Sequence, residues 1–509
     1  MDSDWHSFRK HAHRIRKFEA VHSFTRRFSR NINGPQHDRR SCSSALTGSA
    51  SEVIARFIDQ QFSVGSACLF PKLTTLEIHS TKDDQLPAYL PYLCGDTLQT
   101  FAVNLGYTSV PPQTPAGIYR TFWELLSVMR TRWPRLSSVE IGSISGRPCQ
   151  DDANLDQIGA WLGDLLQLQS MDVYADCHPY LVKAISKLPV LQTLNLTGDW
   201  DAISTPSSML SLLPSPSNPH FRSLKELNLV TYQPGYALPL LHALNDSRTL
   251  TKLALLLRTN DMHTSPPFSH APMVLEAISH LPAVDSLDIT FAHSYSHTGP
   301  LPDTPTFHTQ LFAQLFKLRR LRHLTLEGFF HISVTDQDLQ DAANAWPDLE
   351  NIALLFIDAD QFPPHFMVEN VVLISLIGVQ ALYNGCPHLK MIDLPVNDVV
   401  PIKDWELDLP PSVPRDPTAA VERMSLRYHP IQGDYEEDSE EYMPLVIRIL
   451  FPQLKELELT HYDEQDAWPP GADNGEWEKQ VQTWWKVYRD VSLEAVKAEL
   501  EVVWEAFCG

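Results

Sequence analysis

Histidine and cysteine are the first residues to test for chemistry in this chain. His11 and His13 stand two apart, and Cys177 precedes His178. Each pair supplies two of the three or four ligands a metal site needs, and neither has companions at ligand spacing. The other cysteines are dispersed at 42, 68, 94, 149, 386 and 508, with no C-x-x-C pair. Phosphate-cradling and nucleophile motifs are missing as well: no G-x-x-x-x-G-K-[ST], G-x-G-x-x-G, H-E-x-x-H or G-x-S-x-G is spelled anywhere. The reading is therefore non-enzymatic, with no catalytic, metal-ligating or cofactor-binding residue and no cofactor.

The residues that could still act do so by charge. A pattern apolar-x-x-apolar-x-apolar recurs along the chain, and the residue between its last two apolar positions reads Glu77, Ala102, Glu140, Asp172, Asn195, Asn228, Ala254, Asp288, Thr325, Ala353, Asp393, Ser425 and Glu458. Six of these thirteen are acidic and none is basic, in a chain where 62 of 509 residues are Asp or Glu. If the strands stack, neighbours lie about 5 Å apart and the charges add into one negative field. Such a field steers a Lys/Arg-rich partner; the competing reading is the solvated face of an acidic protein. A second row, Trp200, Tyr232, Phe291, Phe329, Phe356, Tyr428 and Tyr462, follows the pattern by two to four residues. Aromatics on a rim suit partner binding; aromatics packed into the turn after each strand are the alternative.

Positioning these rows requires a repeat. The first apolar residue of the pattern falls at Leu73, Leu98, Leu136, Leu168, Leu191, Leu224, Leu250, Val284, Leu321, Leu349, Leu389, Val421 and Leu454. These 13 copies span 381 residues, with intervals from 23 to 40 residues, close to the solenoid range of roughly 20–50. The last two apolar positions are two apart and face one side of a short strand, which must stack on neighbours to persist. Helical spacing precedes several copies, as in Val274, Leu275, Ile278 and Leu281 before Val284. Pro71, Pro134, Pro189, Pro282, Pro347, Pro387 and Pro452 stand two residues before the first apolar position. Proline disfavours helix at the residue before it and so turns the chain from helix to strand. Pro/Ser-rich insertions at 108–116, 203–220, 259–272, 293–307 and 409–418 account for the uneven period.

Strand plus helix at this period resembles the leucine-rich repeat. The resemblance implies an irregular α/β solenoid, with parallel strands on a concave face, helices on a convex face and helical caps. The family's Asn or Cys three residues after the third apolar position is matched only by Asn397. Three segments follow: residues 1–62 as a basic helical cap and loop, 63–462 as the solenoid, and 463–509 as a C-terminal helical cap. Within the first, Trp5, Phe8, Ala12 and Ile15 set out an amphipathic helix.

The formal net charge of −22 opposes nucleic acid or an anionic membrane as the main partner. The longest apolar run, Val371 to Tyr383, is too short to span a bilayer and reads as a buried helix. With dispersed cysteines and no secretory leader, the expected location is cytoplasmic and/or nuclear.

The segment Asp4-Trp5-His6-Ser7-Phe8 through Ala12, Arg14, Ile15 and Arg16 resembles the stretch that follows the F-box in mushroom-type fungal F-box/leucine-rich-repeat proteins. That resemblance implies substrate recognition for a Skp1–cullin–F-box ubiquitin ligase, with repeats binding the substrate. The box itself is not spelled before Leu73, so a Skp1-like adaptor is expected only if a box is present upstream or supplied otherwise. The alternative is an F-box-less scaffold or decoy with no ligase role.

Overall fold

The alternation of apolar and polar residues in each copy makes strands that can bury one face only. The computed structural model describes residues 14–21, 68, 70–79, 94–104, 129–144, 164–175, 179–198, 221–231, 237–245, 247–259, 271–293, 306–328, 331–356, 374–397, 421–429, 451 and 454–461. Two units divide the chain, Met1–Leu250 and Thr251–Gly509.

The first unit holds β1 (Lys17–Val21), β2 (Thr75–His79), β3 (Thr100–Asn104), β4 (Ser138–Ile144), β5 (Ser170–Ala175), α1 (Pro179–Ile185), β6 (Thr193–Gly198), β7 (Glu226–Thr231) and α2 (Ala237–Leu244). Each strand pairs in parallel with the next, β1 through β7, without a crossover. The second holds β8 (Lys252–Thr259), α3 (Ala271–Ser279), β9 (Ser286–His293), β10 (Thr306–His308), α4 (Thr309–Gln314), β11 (His323–Gly328), β12 (His331–Ser333), α5 (Asp336–Ala345), β13 (Asn351–Phe356), α6 (Leu376–Gly385), β14 (Met391–Asn397), β15 (Arg423–His429) and β16 (Glu456–His461). Its ladder runs β8-β9-β11-β13-β14-β15-β16, again all parallel. Each unit is thus an α/β solenoid segment, one strand per repeat with helices between strands.

All 13 copies of the pattern become strands, and each strand starts two residues after the first apolar position. The second and third apolar residues are buried beneath the sheet, as with Leu194 and Leu196, Leu287 and Ile289, or Leu324 and Leu326. The prolines at 71, 134, 189, 282, 347 and 387 lie in the turns that lead in; Pro452 lies outside the described residues. Three residues before the first apolar position stands a second buried column, including Phe70, Trp133, Phe221, Trp346, Cys386 and Phe451. In most copies its carbonyl accepts from the first apolar N–H, as Trp133 O does from Leu136 N at 3.0 Å. This closes a one-turn loop that aims the chain into the ladder.

Successive repeats are joined by shared carbonyls. Thr74 O accepts from both Gln99 N and Thr100 N at 2.9 Å, and Asp285 O accepts from Arg322 N at 2.7 Å and His323 N at 3.0 Å. Hydroxyls add to this at the turn: Thr97 Oγ1 donates to Pro71 O and Leu73 O, and Thr249 Oγ1 to Leu224 O. Repeat-to-repeat bonding therefore sits before the strand, which accounts for a ladder that tolerates the missing Asn after it.

Helices of the second unit stack closely. Thr335 caps α5 in a box with Asp338, whose carboxylate accepts from Thr335 N at 2.7 Å. Asp336 reaches the next helix, accepting from Ser375 N and Ser375 Oγ at 2.7 Å and Gly378 N at 3.1 Å. A Cβ on Gly385 would lie 2.6 Å from Ala343 Cβ, and one on Gly378 would strike the Asp336 carboxylate. Only glycine allows that approach. The expected buried helix in the Val371–Tyr383 run is α6, with Leu376, Val379, Leu382 and Tyr383 buried.

Three expectations are corrected. Residues 17–21 are a strand paired with β2, not part of an N-terminal helix. Ile15, Phe18 and Ala20 spell a further copy of the pattern, and its register places Phe18 opposite Leu76; the ladder therefore begins before residue 63. Across the end of the insertion assigned to 293–307, β10 forms and pairs with β12 in a separate two-stranded sheet. Phe291 is 1% exposed, so it is a core residue and leaves the proposed aromatic rim. It follows Ile289 by two and so shares its face. The rest of the N-terminal segment, the pairs His11/His13 and Cys177/His178, and the C-terminal cap lie outside the described residues.

Candidate functional site: the open sheet face

Strand pleating puts the residue between the two buried positions on the opposite face of the sheet. Register lines these residues up across strands. In the first unit the row is Glu19, Glu77, Ala102, Glu140, Asp172, Asn195 and Asn228. In the second it is Ala254, Asp288, Thr325, Ala353, Asp393, Ser425 and Glu458. The structure thus aligns the six predicted acids, three in each unit, and adds Glu19. Sequence reasoning missed Glu19 because residues 1–62 were assigned to a helical cap and loop; the spelling Ile15-x-x-Phe18-x-Ala20 was the available signal.

Exposure along the row is uneven. Glu140, Asn228 and Asp288 are exposed, while Glu77, Asp172 and Asp393 are half-buried. Ala102, Ala353 and Ser425 are buried, at 8%, 3% and 8% exposure. They were expected to face solvent; their short side chains lie below the level of larger neighbours. Only the strand positions of Glu19 and Glu458 are described. Among the aromatics, Phe356 and Tyr428 lie within β13 and β15, in register with Gly328 and with Val396 respectively. Trp200, Tyr232, Phe329 and Tyr462 lie outside the described residues.

The acids do not act as a bare negative stripe. Lys17 Nζ pairs with Glu77 Oε1 at 2.7 Å. Asn195 Nδ2 donates to Asp172 Oδ2 at 2.9 Å, and Asn228 Nδ2 donates to Asn195 Oδ1 at 2.7 Å. That amide chain holds one carboxylate oxygen of Asp172 in place. In the second unit, Thr290 Oγ1 donates to Glu327 Oε2 at 3.2 Å. Although Asp288 is exposed as a residue, partial desolvation of its carboxyl against the sheet, and then the neighbouring Glu327 charge, push its pKa up.

Two further rows flank this one and were not singled out from the sequence. Two residues earlier on each strand stand Thr75, Thr100, Ser138, Ser170 and Thr193 in the first unit. One residue earlier again, the second unit alternates in sign: Asp285, Arg322, Glu350, Lys390, Glu422 and Lys455. Lys390 Nζ lies 2.6 Å from Glu350 Oε2, Arg322 Nη1 3.6 Å from Glu350 Oε1, and Lys455 Nζ 2.9 Å from Glu422 Oε1. The hydrogen bond from Lys390 holds the Glu350 carboxyl below its ordinary range, and Lys455 does the same for Glu422.

Among the described residues, no group of three or more His, Cys, Asp or Glu could hold a metal ion. Cys68, Cys94 and Cys386 form no disulfide among the described residues; Cys386 Sγ donates to Trp346 O at 3.4 Å, and burial pushes the Cys94 pKa up. No helix among the described residues is long and apolar enough to cross a membrane.

No protein-family model and no curated protein matches the chain. Among solved structures, a protein from Bacteroides fragilis is similar at 11% identity, covering 81% of this chain and 83% of that one, with a TM-score of 0.31. At that identity and score the likeness does not extend to function. The parallel-strand solenoid is compatible with a protein-interaction scaffold, and the site it offers is a surface.

Proposed function

We propose that this protein is a recognition scaffold that binds other proteins on the open faces of its sheets. The observation that supports this best is the register of Glu77, Glu140, Asp172, Asp288 and Asp393 with their polar neighbours, which makes each face a polar, net-acidic strip suited to Lys/Arg-rich partners. No nucleic acid, membrane or cofactor is part of the reading.

The finer proposal is substrate recognition similar to that of fungal F-box/leucine-rich-repeat receptors. Its support is the motif from Asp4 to Arg16, which leads directly into β1, so the resembling stretch and the repeats are continuous in this chain. The test is affinity purification of the tagged protein from cells, with identification of what accompanies it. Co-purification of a Skp1-like adaptor and a cullin supports the ligase reading. Recovery of other proteins alone leaves a scaffold or decoy without a ligase role. A chain that captures no protein specifically sinks the scaffold reading.

A further inference from the structure

Resting on that scaffold reading, we propose that the open face of β2–β6 seats an extended Lys/Arg-bearing segment of a partner, its cationic side chains held between a row of hydroxyls and a row of carboxylates. The carrying observation is the hydroxyl row. Thr75, Thr100, Ser138, Ser170 and Thr193 stand in register on five adjacent strands. All five are half-buried, and among the described residues their hydroxyls make no side-chain hydrogen bond, unlike Thr74, Thr97 and Ser137, which bond to carbonyls of the preceding repeat. Two residues further on, about 6.6 Å along the strands, come Glu77, Ala102, Glu140, Asp172 and Asn195.

The two rows supply different halves of what a cation needs. An ammonium carries three donors and a guanidinium five, with no acceptor. A carboxylate neutralises the charge but takes up only some of those donors; hydroxyl oxygens beside it accept the remainder. Ala102, small and buried, opens a gap in the carboxylate row between Glu77 and Glu140. Asn195 keeps one Asp172 oxygen occupied and leaves the carboxylate fixed rather than searching rotamers. The face itself is free of competing cations: the outward positions of β2–β6 include no Lys or Arg, and Lys17 pairs with Glu77 from β1 at its margin. In the second unit Arg322, Lys390 and Lys455 flank the equivalent rows and occupy the nearby carboxylates of Glu350 and Glu422. Charge complementarity therefore selects the first unit as the seat.

The experiment is fluorescence anisotropy with the full chain and a fluorescein-labelled peptide of alternating Lys and Ser, against the same peptide with Glu for Lys. Binding of the Lys peptide only, weakening with added salt, is expected. Glu140→Gln with Asp172→Asn lowers affinity about tenfold, Ser138→Ala with Ser170→Ala about threefold, and Asp288→Asn with Asp393→Asn leaves it unchanged. Circular dichroism and thermal unfolding identify any variant that loses its fold, and the hydroxyl pair then decides. Affinity lost in the Asp288/Asp393 variant but retained in both first-unit variants overturns this seat while leaving a basic-partner scaffold standing. Equal binding of the Lys and Glu peptides, or no binding of either, overturns the proposal; cellular co-purification separately decides the scaffold reading.

Discussion

At the residue just before each strand, the middle of the first unit and the second unit carry different chemistry on the same backbone. The first has Thr74, Gln99, Ser137, Gln169 and Gln192 before β2–β6, with Arg16 and Lys225 at its two ends; the second has Thr251 and then Asp285, Arg322, Glu350, Lys390, Glu422 and Lys455. Yet the main-chain bonds match. Gln169 N and Ser170 N share Ser137 O in one, and Lys390 N and Met391 N share Glu350 O in the other. Side chains at this row are therefore not what holds the strands in register. The second unit uses the position for cross-strand ion pairs, which stabilise a sheet modestly. Across β2–β6 the first leaves it neutral, so this row places no cation beside Glu140 and Asp172. The difference separates a face tied up by its own charges from one that is open to another molecule's.

The largest effects fall on the layer both units share, the buried column under the turn. Trp133 and Trp346 are both fully buried, and Trp346 packs edge-on against Phe312 and Phe316 at centroid distances of 5.6 and 5.4 Å. Trp133→Ala and Trp346→Ala each cost about 3–5 kcal/mol. Hydrogen exchange should show the loss in β3–β5 for the first and in β11–β14 for the second; a cost below about 1 kcal/mol would remove these rings from the list of core pillars.

Helix contacts come next, and here the second unit has a device of its own. Gly385→Ala drives a methyl into Ala343 and costs about 1–3 kcal/mol. Asp336→Ala strips the acceptor from Ser375 N and Gly378 N and costs about 1–2 kcal/mol. Urea unfolding measures both, and a neutral Gly385→Ala would contradict the close helix approach.

The ion pairs sharpen the contrast directly. Glu350→Gln removes the partner of both Arg322 and Lys390 and costs about 0.5–1 kcal/mol, a cost that shrinks at high salt. Gln169→Ala at the matching position of the first unit costs about nothing, with no salt dependence. Equal effects at the two sites would erase the distinction.

The smallest effects concern pH. Lys390 lowers the folded Glu350 pKa below its ordinary 4.5, so the stability it contributes is present above that value and is lost as pH falls through the lowered one. Asp288 has the opposite sign. Its folded pKa is raised, so the folded state holds its proton more tightly, and ionising it above the ordinary range costs stability. Asp288→Asn therefore raises the melting temperature slightly at neutral pH and changes nothing well below pH 3.8, the ordinary Asp value. A melting temperature that falls at neutral pH would contradict the sign.

Much of the ladder was legible because its signal is local. Leu-x-x-Leu-x-Leu states both the strand and which face is buried, and proline two residues earlier marks the turn. β1 escaped because Ile15, Phe18 and their neighbours satisfy a helical spacing as well as the strand pattern, and only pairing with β2 separates the two. β10 and β12 escaped because three-residue strands carry no periodicity of their own. The acidic row was readable as a row, since register follows from the pattern. Its pairing was not: that Lys17 reaches Glu77, or that Asn195 bonds Asp172, depends on residues 60 and 23 positions apart. Phe291 departs from the expected rim because its even offset from the third apolar residue returns it to the core.

The doubly used carbonyl at the head of each strand has a practical side for protein engineering. Intervals of 23 and 40 residues give the same register, because two consecutive amides, and not the length of the connector, set it. Those two positions must keep their N–H groups, and no proline stands at either in any of the strands. The connectors carry no such duty. Foreign loops, affinity tags or reporter domains inserted between repeats should leave the faces aligned, so the chain can serve as a rack on which binding loops of unequal size are hung beside a constant surface.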